Sequence, residues 1–231
     1  MEYDIHTTFR SSVTEAEVRA YVNKVFLWMA ATLAVAAGSA IYATHDMAML
    51  TWCTGHYWLL LIGALLVMLV MYFAHSLFSA GALGVLLMVF SVLEGLSLGP
   101  VLSLFTQESL GITFAATAGM FGGMAFYGAV TKRNLSGMGR TLMMMLFGLI
   151  IAGVANIFWG GSVTSLAISA VGVVVFSLFT AYDMQTIIQA GLYCEDEEQR
   201  NKGAVLGAVT LYLDFINLFL YLLRFLGESR D

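Results

Sequence analysis

The segment AVLGAVTLYLDFINLFLYLLRFL, residues 204–226, decides the fold class of this chain. Only Asp214 and Arg224 are charged in this stretch, which is long enough to cross a bilayer as an α-helix. Similar apolar stretches recur along the chain. Together they predict spans at residues 21–44, 57–74, 81–105, 112–130, 141–159, 163–188 and 204–226. The sequence therefore predicts an all-α integral membrane protein with seven transmembrane helices.

The composition excludes most other classes of protein. Of the 231 residues, 60% are hydrophobic and 11% are charged, whereas a soluble domain carries about 25% charged residues. The net charge of −5 offers no basic surface for nucleic acid. The apolar runs are too long for the ~10-residue alternating strands of a transmembrane barrel. The 23 glycines, some at GxxxG spacing, are typical of helices that pack closely in lipid.

The connections between the spans are short and predict a single membrane domain. We predict a polar cytoplasmic N-terminal tail over 1–20, a seven-helix transmembrane domain over 21–226 and a short C-terminal tail over 227–231. The N-terminal tail lacks the basic start and the cleavage site of a secretory signal, so we expect the first helix to remain as an anchor. Cys53 and Cys194 lie in different connecting segments and predict unpaired thiols. We expect no cofactor.

The basic residues predict the orientation of the helices, because cytoplasmic segments carry an excess of Lys and Arg. Eight of the ten fall in or beside the N-terminal tail, or at the fourth and sixth connections: Arg10, Arg19, Lys24, Lys132, Arg133, Arg140, Arg200 and Lys202. Seven spans place all eight on one side, and only Arg224 and Arg230 oppose this assignment. We therefore predict a multi-pass protein with a cytoplasmic N-terminus and an external C-terminus.

Acidic residues inside the predicted spans are the first candidates for function. Twelve of the fifteen acids lie in tails or connections, including those at 195–198, which we predict to form a solvated cytoplasmic loop. Glu94, Asp183 and Asp214 lie within spans, where a charge costs at least about 2.5–3.5 kcal/mol on insertion scales. A protonated acid that hydrogen-bonds to a neighbouring helix is the alternative, and we favour it for Glu94.

The last two spans each carry polar residues on one face. At about 100° per residue, the polar residues of the seventh span fall within an arc of about 80°. They are Thr210, Asp214, Asn217, Tyr221 and Arg224. On the sixth span, Ser169, Thr180 and Asp183 share an arc of about 60°. Such a stripe cannot face lipid, so we predict that it lines a wet path or forms a hydrogen-bonded seam between helices.

The two aspartates are predicted to come within reach of each other, because the sixth span runs toward the cytoplasm and the seventh runs back. Their predicted depths from the cytoplasmic ends are about 9 Å for Asp183 and about 15 Å for Asp214, and helix tilt could close that gap. Two carboxylates at one site cannot both ionise cheaply. We therefore predict that the pair shares a proton and acts as a pH-sensing latch.

The third span contains a proline that interrupts its hydrogen-bond ladder. Pro100 has no amide hydrogen, so the Leu96 carbonyl loses its helical partner. This carbonyl and Glu94 are placed to line a cavity at mid-membrane. The residues that we predict to line a pathway are Glu94, Pro100, Thr180, Thr210, Asn217, Tyr221 and Arg224.

Three segments resemble the Bax inhibitor-1 family. Residues 211–225, LYLDFINLFLYLLRF, resemble its last helix; residues 175–184, VFSLFTAYDM, resemble its sixth helix; and residues 94–100 match its third span. The resemblance implies a bacterial inner-membrane protein with six helices in two layers around a central C-terminal helix. It also implies a pH-responsive hydrogen bond between Asp183 and Asp214. Some relatives add an arginine near the second span, whereas His75 is the nearest ionisable residue here.

Three functions remain open from the sequence. The family is linked to calcium leak, which predicts a pH-sensitive Ca²⁺ leak channel or transporter gated by the aspartate pair. Asp183 and Asp214 would then be weak, transient ligands of the transported ion. A bacterial relative modulates a membrane-embedded ATP-dependent protease, so a non-enzymatic regulator of such a partner, or of another membrane protein, is the alternative.

An intramembrane aspartyl protease is the third function, since two aspartates that share a proton can activate water. We disfavour it because residues 211–213, which precede Asp214, are Leu-Tyr-Leu and not glycines that would loosen the helix. We expect membrane lipid and Ca²⁺ as partners, no nucleic acid and no enzymatic activity.

Overall fold

The computed structural model describes residues 13–194, 196–228 and 230, and the long elements in this part of the chain are α-helices. They are α1 (Glu15–His45), α2 (Met47–Gly55), α3 (Tyr57–Phe73), α4 (Ala80–Leu102), α5 (Gln107–Val130), α6 (Met138–Trp159), α7 (Ser162–Leu192) and α8 (Glu197–Leu226). Among the described residues, six helices are long and apolar enough to cross a membrane. The α2–α3 pair passes the same test as one unit with a bend of 72°. The protein is therefore all-helical with six or seven candidate spans.

The first helix begins before the predicted span because a capping box starts it. The Thr14 hydroxyl accepts a hydrogen bond from the Glu17 amide at 3.3 Å, and the Thr14 amide donates to the Glu17 carboxylate at 2.8 Å. Residues 15–20, which we predicted as part of the tail, are therefore helical. The predictions for residues 1–12, 229 and 231 of the two tails lie outside the described residues.

The segment before the second span was predicted as a connection, and this prediction is wrong. Asp46 ends α1 and starts the short helix α2, because its carboxylate accepts hydrogen bonds from the amides of Ala48 at 2.9 Å and Met49 at 3.4 Å. Helices α2 and α3 then meet at His56. Cys53 lies on α2 and is fully buried.

The predicted solvated loop at 195–198 is also partly wrong. Glu197 and Glu198 form the first turn of α8, where negative charge interacts favourably with the helix dipole. Asp196 caps this turn by accepting a backbone hydrogen bond from Gln199 at 2.7 Å. Residue 195 lies outside the described residues.

The chain forms two compact units, Met1–Ser97 with Ile187–Val209 and Leu98–Thr186 with Thr210–Asp231. In the first unit, polar contacts join the starts of three helices. The Ala80 amide donates to the Glu198 carboxylate at 2.8 Å, and Arg200 forms an ion pair with Glu17 at 3.3 Å. The starts of α1, α4 and α8 therefore lie at one end of this unit.

Small residues allow the helices of the first unit to approach closely. Tyr21 of α1 is 2% exposed and packs against Gly191 and Gly203, where added Cβ atoms would lie 2.7 Å and 3.2 Å from its side-chain atoms. On α4, a Cβ at Gly95 would overlap the backbone of Ala36. The backbones of α1 and α4 therefore approach directly, and the Tyr21 side chain of α1 packs onto the glycines of α7 and α8.

In the second unit, aromatic side chains pack α8 against α5. The Phe215 ring lies edge-on to Phe114 and Phe121, with centroid distances of 5.5 Å to each. The end of α8 is fixed by the connection between α4 and α5, because the Glu228 carbonyl accepts a hydrogen bond from the Thr106 amide at 3.2 Å. Helix α8 is thus held along its length within this unit.

Candidate functional site

Asp183 of α7 and Asp214 of α8 meet inside the second unit, with their carboxyl groups close enough to share a hydrogen bond. The ring of Tyr221 stacks on Phe176 with a centroid distance of 5.7 Å. Tyr221 follows Asp214 by seven residues, and Phe176 precedes Asp183 by seven residues. The two contacts therefore belong to one antiparallel interface and lie about two helical turns apart.

One carboxylate oxygen of Asp214 is buried without a hydrogen-bond donor in the described part of the chain. Asp214 is 4% exposed, and its Oδ2 is buried with no hydrogen-bond partner among the described residues. An ionised carboxylate only accepts hydrogen bonds, so the two carboxyls can bond to each other only when one of them carries a proton. A buried polar atom without a partner costs about 1–3 kcal/mol, and a buried charge costs more. The geometry is therefore suited to one proton held between two carboxyls.

Two neighbouring helices pack closely against the turn of α7 that carries Asp183. A Cβ atom at Gly128 of α5 would overlap the carbonyl of Ala181. A Cβ atom at Gly139, in the first turn of α6, would lie 2.5 Å from the hydroxyl oxygen of Tyr182. Both glycines allow their helices to touch α7 directly, so α5 and α6 fix the position of Asp183 from two directions.

Gln185 holds the connection between α5 and α6. Its Oε1 accepts a hydrogen bond from the Leu135 amide at 2.7 Å, and its Nε2 donates to the Arg133 carbonyl at 2.9 Å. Leu135 is 6% exposed, so this connection is anchored by a buried side chain as well as by the Gln185 amide. Gln185, Gly128 and Gly139 were not predicted as site residues, because one polar residue near a helix end and single glycines in a glycine-rich chain carry no distinctive signal.

The other polar residues predicted on these two helices mostly bond within their own helix. The Thr180 hydroxyl donates to the Phe176 carbonyl at 2.8 Å, and the Asn217 amide donates to the Leu213 carbonyl at 2.8 Å. Along the predicted stripe of α8, exposure increases from the buried Asp214 to the exposed Arg224. The remaining members, Thr210, Asn217 and Tyr221, are half-buried.

The two pathway candidates on α4 are divided between the units. Glu94 is half-buried in the first unit, and its carbonyl accepts a hydrogen bond from the Ser97 hydroxyl at 2.7 Å. Pro100 belongs to the second unit and lies inside α4, which continues to Leu102. His75 is exposed just after α3, with its Nδ1 2.8 Å from the Tyr72 carbonyl.

The metal chemistry that this site could support is limited. No group of three His, Cys, Asp or Glu side chains that could hold a metal ion occurs in the described part of the chain. Ca²⁺ takes six to eight oxygen ligands, and Asp183 with Asp214 supply four carboxylate oxygens at most. The pair therefore suits brief contact with a passing cation better than stable binding.

Comparison with known proteins gives one consistent answer. The model of the family described as inhibitor of apoptosis-promoting Bax1 matches residues 18–231. The inner membrane protein YbhL of Escherichia coli is 39% identical over 220 residues, which cover 93% of this chain and 94% of that protein. An uncharacterized protein of Deinococcus radiodurans is 38% identical over 216 residues, 93% of each chain. These matches span almost the whole chain, including the segments that carry Asp183 and Asp214, and the chain belongs to the Bax inhibitor-1 family.

Proposed function

We propose that the protein is a pH-sensitive Ca²⁺ leak channel or transporter of the bacterial inner membrane, with the Asp183–Asp214 pair as its gate. The observation that carries this proposal is the contact between two carboxyl groups, one of them 4% exposed, on neighbouring apolar helices. Ionisable residues within membrane spans usually mark ion or proton paths. The Escherichia coli relative is an inner membrane protein by its name, which supports the location.

The gate operates through the proton that the two carboxyls share. With one proton present, the pair forms a hydrogen bond that joins α7 to α8. Without it, two negative charges at about 4 Å repel by about 4 kcal/mol at an effective dielectric constant of 20. The helices then separate, or a cation enters between the carboxylates. Carboxylate oxygens are the ligands that Ca²⁺ prefers, so this site favours Ca²⁺ over soft metal ions.

We further propose seven spans, with six helices in two layers around α8. The starts of α1, α4 and α8 lie at one end of the first unit, so the bent α2–α3 pair has to return the chain across the membrane after α1. Among the six long helices, α8 is the most buried, with 67% of the residues in its most apolar stretch buried against 39% or less in the other five. Both observations support this arrangement.

The orientation predicts which connections are accessible from outside the cell. In a variant without Cys53 and Cys194, Gly161→Cys between α6 and α7 should react with a membrane-impermeant thiol reagent added to intact cells. Ser136→Cys between α5 and α6 should react only after the cells are opened. Both positions are exposed, and a side chain at Gly161 meets no neighbouring atom. The reverse labelling pattern would overturn the orientation, and equal labelling would overturn the crossing of α6.

The proposed function predicts a pH-dependent Ca²⁺ flux through the isolated protein. Purified protein in vesicles that contain a Ca²⁺ indicator should admit Ca²⁺ at a rate that changes between about pH 5 and pH 8. Protein-free vesicles of the same lipid supply the control. Flux no greater than this control at every pH would exclude the channel. The alternative, a regulator that binds a membrane-embedded ATP-dependent protease, would then be tested by co-purification of that protease.

A further inference from the structure

An apolar groove of about 660 Å³ runs between α6 and α7 in the second unit. Its lining includes Gly148 and Ala152 of α6 and Ala167, Val171, Val174 and Leu178 of α7. The lining of α6 spans residues 145–152 and that of α7 spans 167–178, which correspond to lengths of about 10 Å and about 16 Å. The longer wall equals about half of the ~30 Å hydrocarbon core, the depth of one leaflet.

One end of the groove lies beneath the connection between α5 and α6. At about 100° per residue, Leu178, Tyr182 and Gln185 share an arc of about 60°, so Tyr182 and Gln185 continue the groove face of α7. Tyr182 contacts Gly139, and Gln185 binds the backbone of the connection at 2.7 Å and 2.9 Å. Asp183 lies about 140° away from Leu178, on the face toward Asp214.

The connection near this end of the groove and the start of α6 carry three basic residues that do not themselves line the groove. Lys132, Arg133 and Arg140 lie within nine residues of one another, and all three are exposed. None of the three side chains forms an ion pair with a carboxylate in the described ranges, where the ion pairs involve Arg19, Lys24, Arg200 and Lys202. The proposed orientation, which follows from the distribution of basic residues, puts this connection at the cytoplasmic surface, where anionic lipid headgroups attract juxtamembrane cations.

We propose that an anionic glycerophospholipid occupies this site, with one acyl chain in the groove and its phosphate among Lys132, Arg133 and Arg140. The apolar lining matches the chain, and the unpaired cations match the headgroup. A volume of about 660 Å³ is within the usual range for small-molecule sites. A transmembrane helix of a partner protein would fill the groove but would leave the three cations without a counter-charge, so the charge distribution favours lipid.

The groove and the cations can be altered separately. Gly148→Leu should fill the groove without disturbing the fold, because a Cβ at Gly148 meets no atom within 4 Å. Gly153→Leu is its matched control, since Gly153 is equally unobstructed but does not line the groove. Ala167→Phe fills the groove from its α7 wall and gives a second test of the same site if Gly148→Leu fails to fold.

Lys132→Gln with Arg133→Gln removes two headgroup contacts and leaves the backbone bonds to Gln185 in place. Each Lys or Arg near an anionic surface adds a similar increment to the free energy of binding. The loss of two such residues should therefore weaken lipid binding on the order of 30-fold. Arg19→Gln is the control, because Arg19 is an exposed cation on the same predicted side but belongs to the first unit.

Native mass spectrometry after delipidation measures the bound lipid directly. Wild-type protein should retain phosphatidylglycerol but not phosphatidylcholine with the same acyl chains. The groove-filling variants and the double charge variant should lose it, and both control variants should keep it. Equal retention of the two lipids would overturn the proposed selection for an anionic headgroup. Lipid that is still retained by both Gly148→Leu and Ala167→Phe would overturn the groove as the site of the acyl chain. A protein subunit that is retained instead of lipid, and is lost from Gly148→Leu, would assign the groove to a partner helix.

Discussion

Asp214→Asn should flatten the pH dependence of Ca²⁺ flux between about pH 5 and pH 8, and Asp183→Asn should do the same. Asparagine keeps the shape and the hydrogen bonding of the side chain but has no proton to lose. A gate that responds to one proton changes its population by up to about tenfold per pH unit. Either variant should therefore vary by less than about twofold over the whole range, measured in vesicles against wild type.

The double variant separates a coupled pair from two independent sensors. If the carboxyls act as one unit, Asp183→Asn with Asp214→Asn should be no flatter than either single variant. Glu94→Gln is the matched control, because Glu94 is also an acid within a candidate span but belongs to the other unit. It should retain the wild-type pH profile. Normal profiles in both single aspartate variants would remove the pair from gating and favour the regulator of a membrane partner.

The contact between the aspartates was predictable in outline from the helical repeat and from the length of the connection between their helices. The helical repeat places Asp214 and Asp183 on polar faces, and a short connection makes α7 and α8 antiparallel. Neither argument identifies which residue each side chain contacts. The predicted depths also differed, at about 9 Å for Asp183 and about 15 Å for Asp214. The register is set by packing, such as Tyr221 on Phe176 and against Gly172, which hydropathy does not report.

Helix ends and glycine contacts were harder to predict for physical reasons. The polar turns at Glu15 and Glu197 are helical because side chains cap them, although they lie outside the apolar spans. Gly95 and Gly119 each begin a GxxxG pattern, yet Gly95 meets the Ala36 backbone and Gly119 meets no atom within 4 Å. Spacing shows where a close approach is possible, and only the neighbouring helix decides whether it occurs.

Gly128→Ala should produce the largest loss of stability among conservative substitutions near the aspartate pair. The added methyl group would overlap the carbonyl and the Cα atom of Ala181, which are backbone atoms and cannot rotate away. Helices α5 and α7 must then separate beside Asp183. Overpacking of this kind costs about 1–3 kcal/mol.

Gly122→Ala is the matched control for this substitution, because Gly122 lies on the same helix with no atom within 4 Å of an added Cβ. Alanine is the better helix former by about 0.8–1 kcal/mol, so this variant should be as stable as wild type or more stable. Both substitutions gain the same helix propensity and only Gly128→Ala overpacks, so thermal unfolding in one detergent should rank Gly122→Ala above Gly128→Ala by about 1–3 kcal/mol. Equal stability of the two variants would mean that α5 does not contact Ala181. The support of the Asp183 turn would then have to come from α6 and Gln185 alone.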